Sequence, residues 1–164
     1  MIEDLLKQNA TAYRNLGHPN LLYEYVLRQG KEFTGFEPFP DELMEPNECF
    51  YNSTHWVWIN QGNFDKVEYV EGFVVRESLG MLIHHAWVVV DGVPYEPTLR
   101  DNSDCTYYGV AFDPDKVVEE VQRTGYYGLF IPNGMVMNTV LMSEDQPELV
   151  EEIRNYQKNS NVFF

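Results

Sequence analysis

The sequence predicts an α+β fold in which helices at both ends enclose a central run of strands. Three observations lead there. Apolar residues recur at helical spacing over the first thirty positions, and Ser143 with the acidic residues after it opens a last helix; the period shortens to two between residues 67 and 112; and Gly, Pro, Asn and Asp punctuate the changes of period. At 164 residues, 44% of them hydrophobic, the chain has the length of a single domain, 1–164, with enough apolar surface for one continuous core.

Each element has its own signal. Leu5, Leu6, Ala12 and Leu16 set a first helix that breaks at Gly17-His18-Pro19. Leu21, Leu22, Tyr25, Val26 and Leu27 set a second, closed by Gly30. Residues 31–46 hold three prolines and three phenylalanines, which predicts a loop whose rings must pack on something. Asn47, held behind Pro46, reads as the N-cap of a helix over 48–60. Phe50, Val57, Trp58 and Ile59 leave that helix little polar surface, so burial is expected.

The strands come next. Val67, Tyr69, Phe73 and Val75 alternate with Glu68 and Arg76; residues 77–80 make a turn; residues 81–90 form a second strand. Asp91-Gly92 is a hairpin signal leading into 93–96, and 107–112 is a further strand. A helix over 114–123 is capped by Asp113 with Pro114 in its first turn. Ile131-Pro132-Asn133-Gly134 reads as a turn, 135–142 as a strand, and Ser143 as the opening of a last helix reaching about residue 158.

Charge narrows the function classes. Eleven Lys and Arg against 26 Asp and Glu give a formal net charge of −15 at pH 7. That field repels phosphate backbones and anionic lipid, which argues against direct nucleic-acid binding and against a membrane surface, and suits a basic protein or peptide partner. Two well-separated cysteines make neither a disulfide framework nor a zinc site, and no phosphate-cradling glycine loop or calcium-loop spacing is present. No metal and no cofactor are therefore expected. The acidic start Met1-Ile2-Glu3-Asp4 carries no basic, apolar signal segment, so the expected location is cytoplasmic.

Three residues together suggest thiol chemistry. Cys49 falls in the first turn of the expected helix, where unpaired amides and the helix dipole favour a thiolate; buried packing is the alternative role for a single cysteine. His85 lies in the apolar strand His84-His85-Ala86-Trp87-Val88, with Trp87 and Val89 on its own face and His84 on the other. A tight hairpin at Asp91-Gly92 would return Glu96 to His85, where a carboxylate could orient the ring. Trp87 could wall a cleft with Trp56 and the aromatics of 33–39, or belong to the core. Glu71 is either a cleft carboxylate or the exposed residue of a bulge before Gly72. Cys105 reads as a surface thiol, His55 as structural and His18 as a loop residue.

A cysteine at a helix start, then His85-Ala86-Trp87 on a strand, then Tyr95-Glu96-Pro97-Thr98 on the next, resembles the papain-like and transglutaminase-like cysteine enzymes. Many of the latter carry H-x-W followed by D-P-T. The chain also resembles small bacterial and phage members of that superfamily, through Cys49, Asn52, Tyr69-Val70-Glu71-Gly72 and His85-Ala86-Trp87. The likeness spans about residues 49–112. It implies a nucleophile helix packed on an antiparallel sheet, with a Cys49-His85-Glu96 triad that hydrolyses or transfers the acyl group of a protein or peptide amide. Three departures stand out. Glu replaces the commoner Asp or Asn, and Glu48-Cys49-Phe50-Tyr51 replaces the D-C-S-G of cell-wall endopeptidases. Leu43 occupies the place of the papain-type Gln, so the resemblance implies that Asn47, Asn52 or the Cys49 amide supplies the oxyanion donors instead. The competing expectation is a non-catalytic acidic binding or inhibitor protein, such as a phage anti-defence protein, that keeps the fold.

Overall fold

The computed structural model describes residues 1–17, 19–42, 44–130 and 146–159. Five strands form one antiparallel sheet in the order β1-β5-β2-β3-β4, with β1 Lys31–Phe33, β2 Val67–Arg76, β3 Met81–Val90, β4 Val93–Tyr95 and β5 Cys105–Phe112. The helices are α1 Ile2–Asn15, α2 Leu21–Gln29, α3 Cys49–Asn60, α4 Pro114–Thr124 and α5 Pro147–Asn159. The expected His18 loop, the Leu43 position, the 131–134 turn, the 135–142 strand and the Ser143 helix start lie outside the described residues.

Strand alternation divides the sheet into two apolar faces. Tyr69, Phe73 and Val75 of β2, Ala86 and Val88 of β3, and Tyr108 and Val110 of β5 join Leu6, Tyr25, Val26, Trp56 and Val57 in the core on the helix side. Val70, Val74, Trp87, Val89 and Tyr107 form a smaller core on the other side with Phe33. The chain beyond β1 crosses this second face. Phe33 packs edge-on against Trp87, Phe36 lies 4.2 Å from the Tyr107 ring, and Glu37 donates its N–H to Pro94 O at the β4 edge. This strap carries the chain from one sheet edge to the other and delivers it to the start of α3.

The structure corrects several expectations. Residues 31–33, read as loop, pair with β5 as an edge strand. The buried stripe of α1 is Ile2, Leu6 and Ala10, spaced by one helical turn, while Leu16 is exposed beyond the helix end. Asn20 caps α2 by accepting from Leu22 N and Tyr23 N. Asn47 is not a cap: it sits at φ 66° in a turn, an αL position that Asn tolerates, and Glu48 is the capping residue, without a side-chain cap bond. Trp58 and Ile59 are 55% and 59% exposed, because α3 packs through Asn52, Ser53, Trp56 and Val57 instead. The expected Asp113 cap of α4 holds, accepting from Asp115 N, and Gly125 closes the helix at φ 76°.

No bulge interrupts β2. Its pairing with β3 runs unbroken from Val67 opposite Val90 to Arg76 opposite Met81. Gly72 answers a different need. It stands opposite both His85 and Gly109, and a Cβ there would meet Tyr108 O at 2.2 Å and Gly109 Cα at 2.4 Å. A Cβ on Gly109 would come within 2.7 Å of the Trp87 indole. These two glycines let the strands beneath His85 and Trp87 close up. Gly72→Ala should therefore lower unfolding free energy by about 2–3 kcal/mol in urea titration, the usual cost of forcing a methyl into filled space. A change below about 0.5 kcal/mol would show that the contact relaxes freely.

Candidate functional site

Cys49 is the first residue of α3 and is buried at 8% exposure; His85 and Glu96 are at 4% each. The three meet where β4 stops short. β4 pairs only with Val88–Val90, so the rest of β3 is left unpaired on that side and the N-terminus of α3 lies against it. Phe50 rests on the His84 ring at 4.9 Å, and Cys49 reaches His85 on the opposite face of the strand. Successive strand side chains point to opposite faces, so two adjacent α3 residues contact two adjacent imidazoles.

Glu96 follows the hairpin, whose turn has both Asp91 and Gly92 at positive φ, as a tight two-residue turn requires. Its Oε2 stands 2.8 Å from His85 Nε2 and accepts from the Tyr107 hydroxyl at 3.0 Å. Its Oε1 accepts from the backbone N–H of Thr98 at 2.9 Å and Leu99 at 3.1 Å. A buried carboxylate offers roughly four acceptor positions, and all are filled.

His85 is held between two partners. Burial pulls its proton affinity down; the hydrogen-bonding influence of Cys49 and then of Glu96, with their charges, outweighs it and pushes the pKa up to about 9. At pH 7 the ring therefore carries its proton, and Nε2–H donates to Glu96. Cys49 acts on the ring from close range, but no well-aligned N–H···S hydrogen bond joins them; such contacts are commonly loose before substrate binds.

The substrate residues expected from sequence are placed otherwise. Asn52 is fully buried, and its Nδ2 donates to Glu45 O at 2.7 Å and Thr98 Oγ1 at 3.0 Å. It ties α3 to the Glu96 segment, with its donors already engaged. Asn47 is exposed in the preceding turn. Trp87 is wholly buried in the second core, so it shields His85 from below and walls no open cleft. Phe39 likewise packs on Trp56, whose Nε1 donates to Asp41.

Glu71 is also wholly buried, on the helix side of the sheet and away from His85. It accepts from Tyr69 Oη at 2.7 Å, Leu129 N at 2.6 Å and Phe130 N at 2.9 Å, anchoring the 129–130 segment. His84 Nε2 lies 2.9 Å from Glu71 Oε1 but out of hydrogen-bond alignment. Burial first, then the Glu71 charge, holds the Tyr69 phenol far above its ordinary range. Cys105 lies at the start of β5, half-buried, its thiol pushed up by burial against the opposing pull of Arg76. His55 stacks on Tyr51 at 5.3 Å.

Tyr107 and the amides of Thr98 and Leu99 escaped the sequence reading. Tyr107 shares the His85 face by strand parity, but only the pairing of β5 with β2 brings it near, and no local signal gives that pairing. No group of three or more metal-ligating side chains is gathered among the described residues, and none of their helices is long and apolar enough to cross a membrane. No family model, curated protein or solved structure matches the chain.

The raised His85 value has a consequence for stability. A histidine whose folded pKa exceeds its unfolded value of about 6.5 stabilises fully below that pH and loses the contribution as pH rises through the folded value. Wild-type unfolding free energy, less that of His85→Gln, should be constant below pH 6 and fall by about 3 kcal/mol toward pH 9 and above. Urea titrations across that range provide the check. A flat difference would mean that His85 holds no extra proton.

Proposed function

We propose that the chain is a thiol-dependent hydrolase or acyltransferase acting on an amide bond of a protein or peptide, with Cys49 as nucleophile, His85 as acid–base and Glu96 as the orienting carboxylate. The observation that carries the reading is the buried line Cys49–His85–Glu96, in which both neighbours stabilise the proton on the central ring. A helix N-terminus bearing the thiol against a strand bearing the histidine fits a papain-like or transglutaminase-like arrangement.

The chemistry follows from that proton. His85 holds the proton it shares with Cys49, and the thiolate–imidazolium pair is the reactive form. The thiolate attacks the amide carbon, and the carbonyl π pair moves onto oxygen. First-turn amides of α3, which have no side-chain cap, face the developing oxyanion. Collapse breaks the C–N bond, His85 protonates the leaving amine, and a thioester remains on Cys49. Water or a second amine then attacks, giving its proton to His85, and the C–S bond breaks to restore the thiol. Water gives hydrolysis; an amine gives acyl transfer.

Exposed Glu42, Glu45 and Glu48 precede the nucleophile on the chain, and the whole molecule carries −15, so a basic peptide would be drawn toward the site at low salt. The near-complete burial of Cys49 and His85 favours a second reading, a non-catalytic acidic binding or inhibitor protein that keeps the trio for packing.

Alkylation decides between them. With iodoacetamide at pH 7, Cys49 should react well before Cys105, and His85→Ala should slow Cys49 by about tenfold or more through loss of the cationic partner. Glu96→Gln should slow it while the fold persists. His84→Ala should leave the Cys49 rate in place and cost about 1 kcal/mol of stability. Equal rates at both cysteines, unaffected by His85→Ala, would support the binding protein.

A further inference from the structure

We infer that Tyr107 is a positioning residue of this site, acting through Glu96 to hold His85 in its working orientation. The inference rests on the reading above and extends the trio to a fourth side chain. Tyr107 comes from β5, which lies beyond β2 from the strand bearing His85, and its hydroxyl donates to Glu96 Oε2, the same oxygen that faces His85 Nε2. The two backbone donors on Oε1 fix one end of the carboxylate. They leave rotation about the axis through that end, and the phenol removes it by fixing Oε2.

The phenol is itself rigidly placed. Its ring is buried between Phe36 at 4.2 Å and Trp87 at 5.2 Å, and it lies 6.2 Å from the His85 ring. Burial first, then the Glu96 charge, keeps it well above its ordinary range, so it remains a neutral donor wherever the protein is folded. A hydrogen bond from a neutral donor to a buried carboxylate is among the stronger kinds, and it carries no charge that would compete with His85 for the anion. Packing needs only a large ring at this position. The hydroxyl aimed at Oε2 is what packing leaves unexplained.

The test is Tyr107→Phe, which keeps the ring and deletes the donor. Cys49 alkylation at pH 7 should fall by about tenfold. In a Glu96→Gln background the same change should produce no further loss, because the path through the carboxylate is already broken. The His85 Nε2–H resonance, shifted downfield by the carboxylate in wild type, should move in Tyr107→Phe, which a purely packing role would not cause. Alkylation at the wild-type rate in Tyr107→Phe, while His85→Ala is slow, overturns the role of Tyr107 alone. Equal added losses in both backgrounds overturn it as well. A His85→Ala protein as reactive as wild type overturns the triad reading, and this inference with it. Should the Phe variant fail to fold, the wild-type spectrum decides. A slowly exchanging Tyr107 hydroxyl proton close in space to His85 Nε2–H supports the assignment, and its absence overturns it.

Discussion

The carboxylate of Glu96 is the point on which this end of the molecule depends. A carboxylate at 4% exposure is tolerated only when its oxygens are satisfied, and leaving a buried charge unpaired costs about 3–5 kcal/mol. Its four partners come from three separate places: the ring of His85 on β3, the hydroxyl of Tyr107 on β5, and the amides of Thr98 and Leu99 just downstream. The demand of one anion therefore fixes how β3, β5 and the chain after β4 sit together. Asn52 extends the constraint to α3 by donating to Thr98 Oγ1, and in doing so places Cys49.

The sheet carries a second anion on its other face. Glu71 binds Tyr69, Leu129 N and Phe130 N, with His84 beside it, so two adjacent histidines each approach a buried glutamate on opposite sides of one strand. The two arrangements differ in what else is present. His85 has a thiol at its second position and a raised proton affinity from both neighbours. His84 meets Phe50 and Phe73. The glutamate on the helix face anchors a chain segment, and the one on the other face anchors a ring beside a nucleophile. Close strand contact serves both, since Gly72 and Gly109 admit the β2–β5 approach that seats Trp87 under His85.

Much of this could be read from the residues alone. Hydrophobic period and capping signals together located the helices among the described residues and four of the five strands described there; Asp91-Gly92 located the hairpin, and Asp113-Pro114 the start of α4. Those features are local, and local sterics and hydrogen bonding are enough to specify them. The same locality explains the pairing of His85 with Glu96, because a two-residue turn fixes the offset between the strands it joins. The errors have local causes too. Asn47 suits a cap and an αL turn equally well, and residues 31–33 show no strand pattern because three residues are too few to form one.

The tertiary structure decided the rest, for reasons no window of sequence holds. Composition and period determined an acidic α+β chain with a thiol at a helix start and an imidazole on a strand. They could not determine that β5 pairs back with β2, a contact between distant residues that brings Tyr107 to Glu96. Nor could they tell that Glu71, Asn52 and Trp87 are buried, since each is chemically suited to a cleft and only the neighbours that fold over it exclude water. Trp58 and Ile59 show the reverse case, apolar residues left exposed because α3 turns its other side to the sheet. Side-chain chemistry is written residue by residue, while burial depends on the whole packing arrangement, and it is burial that turns these residues into partners.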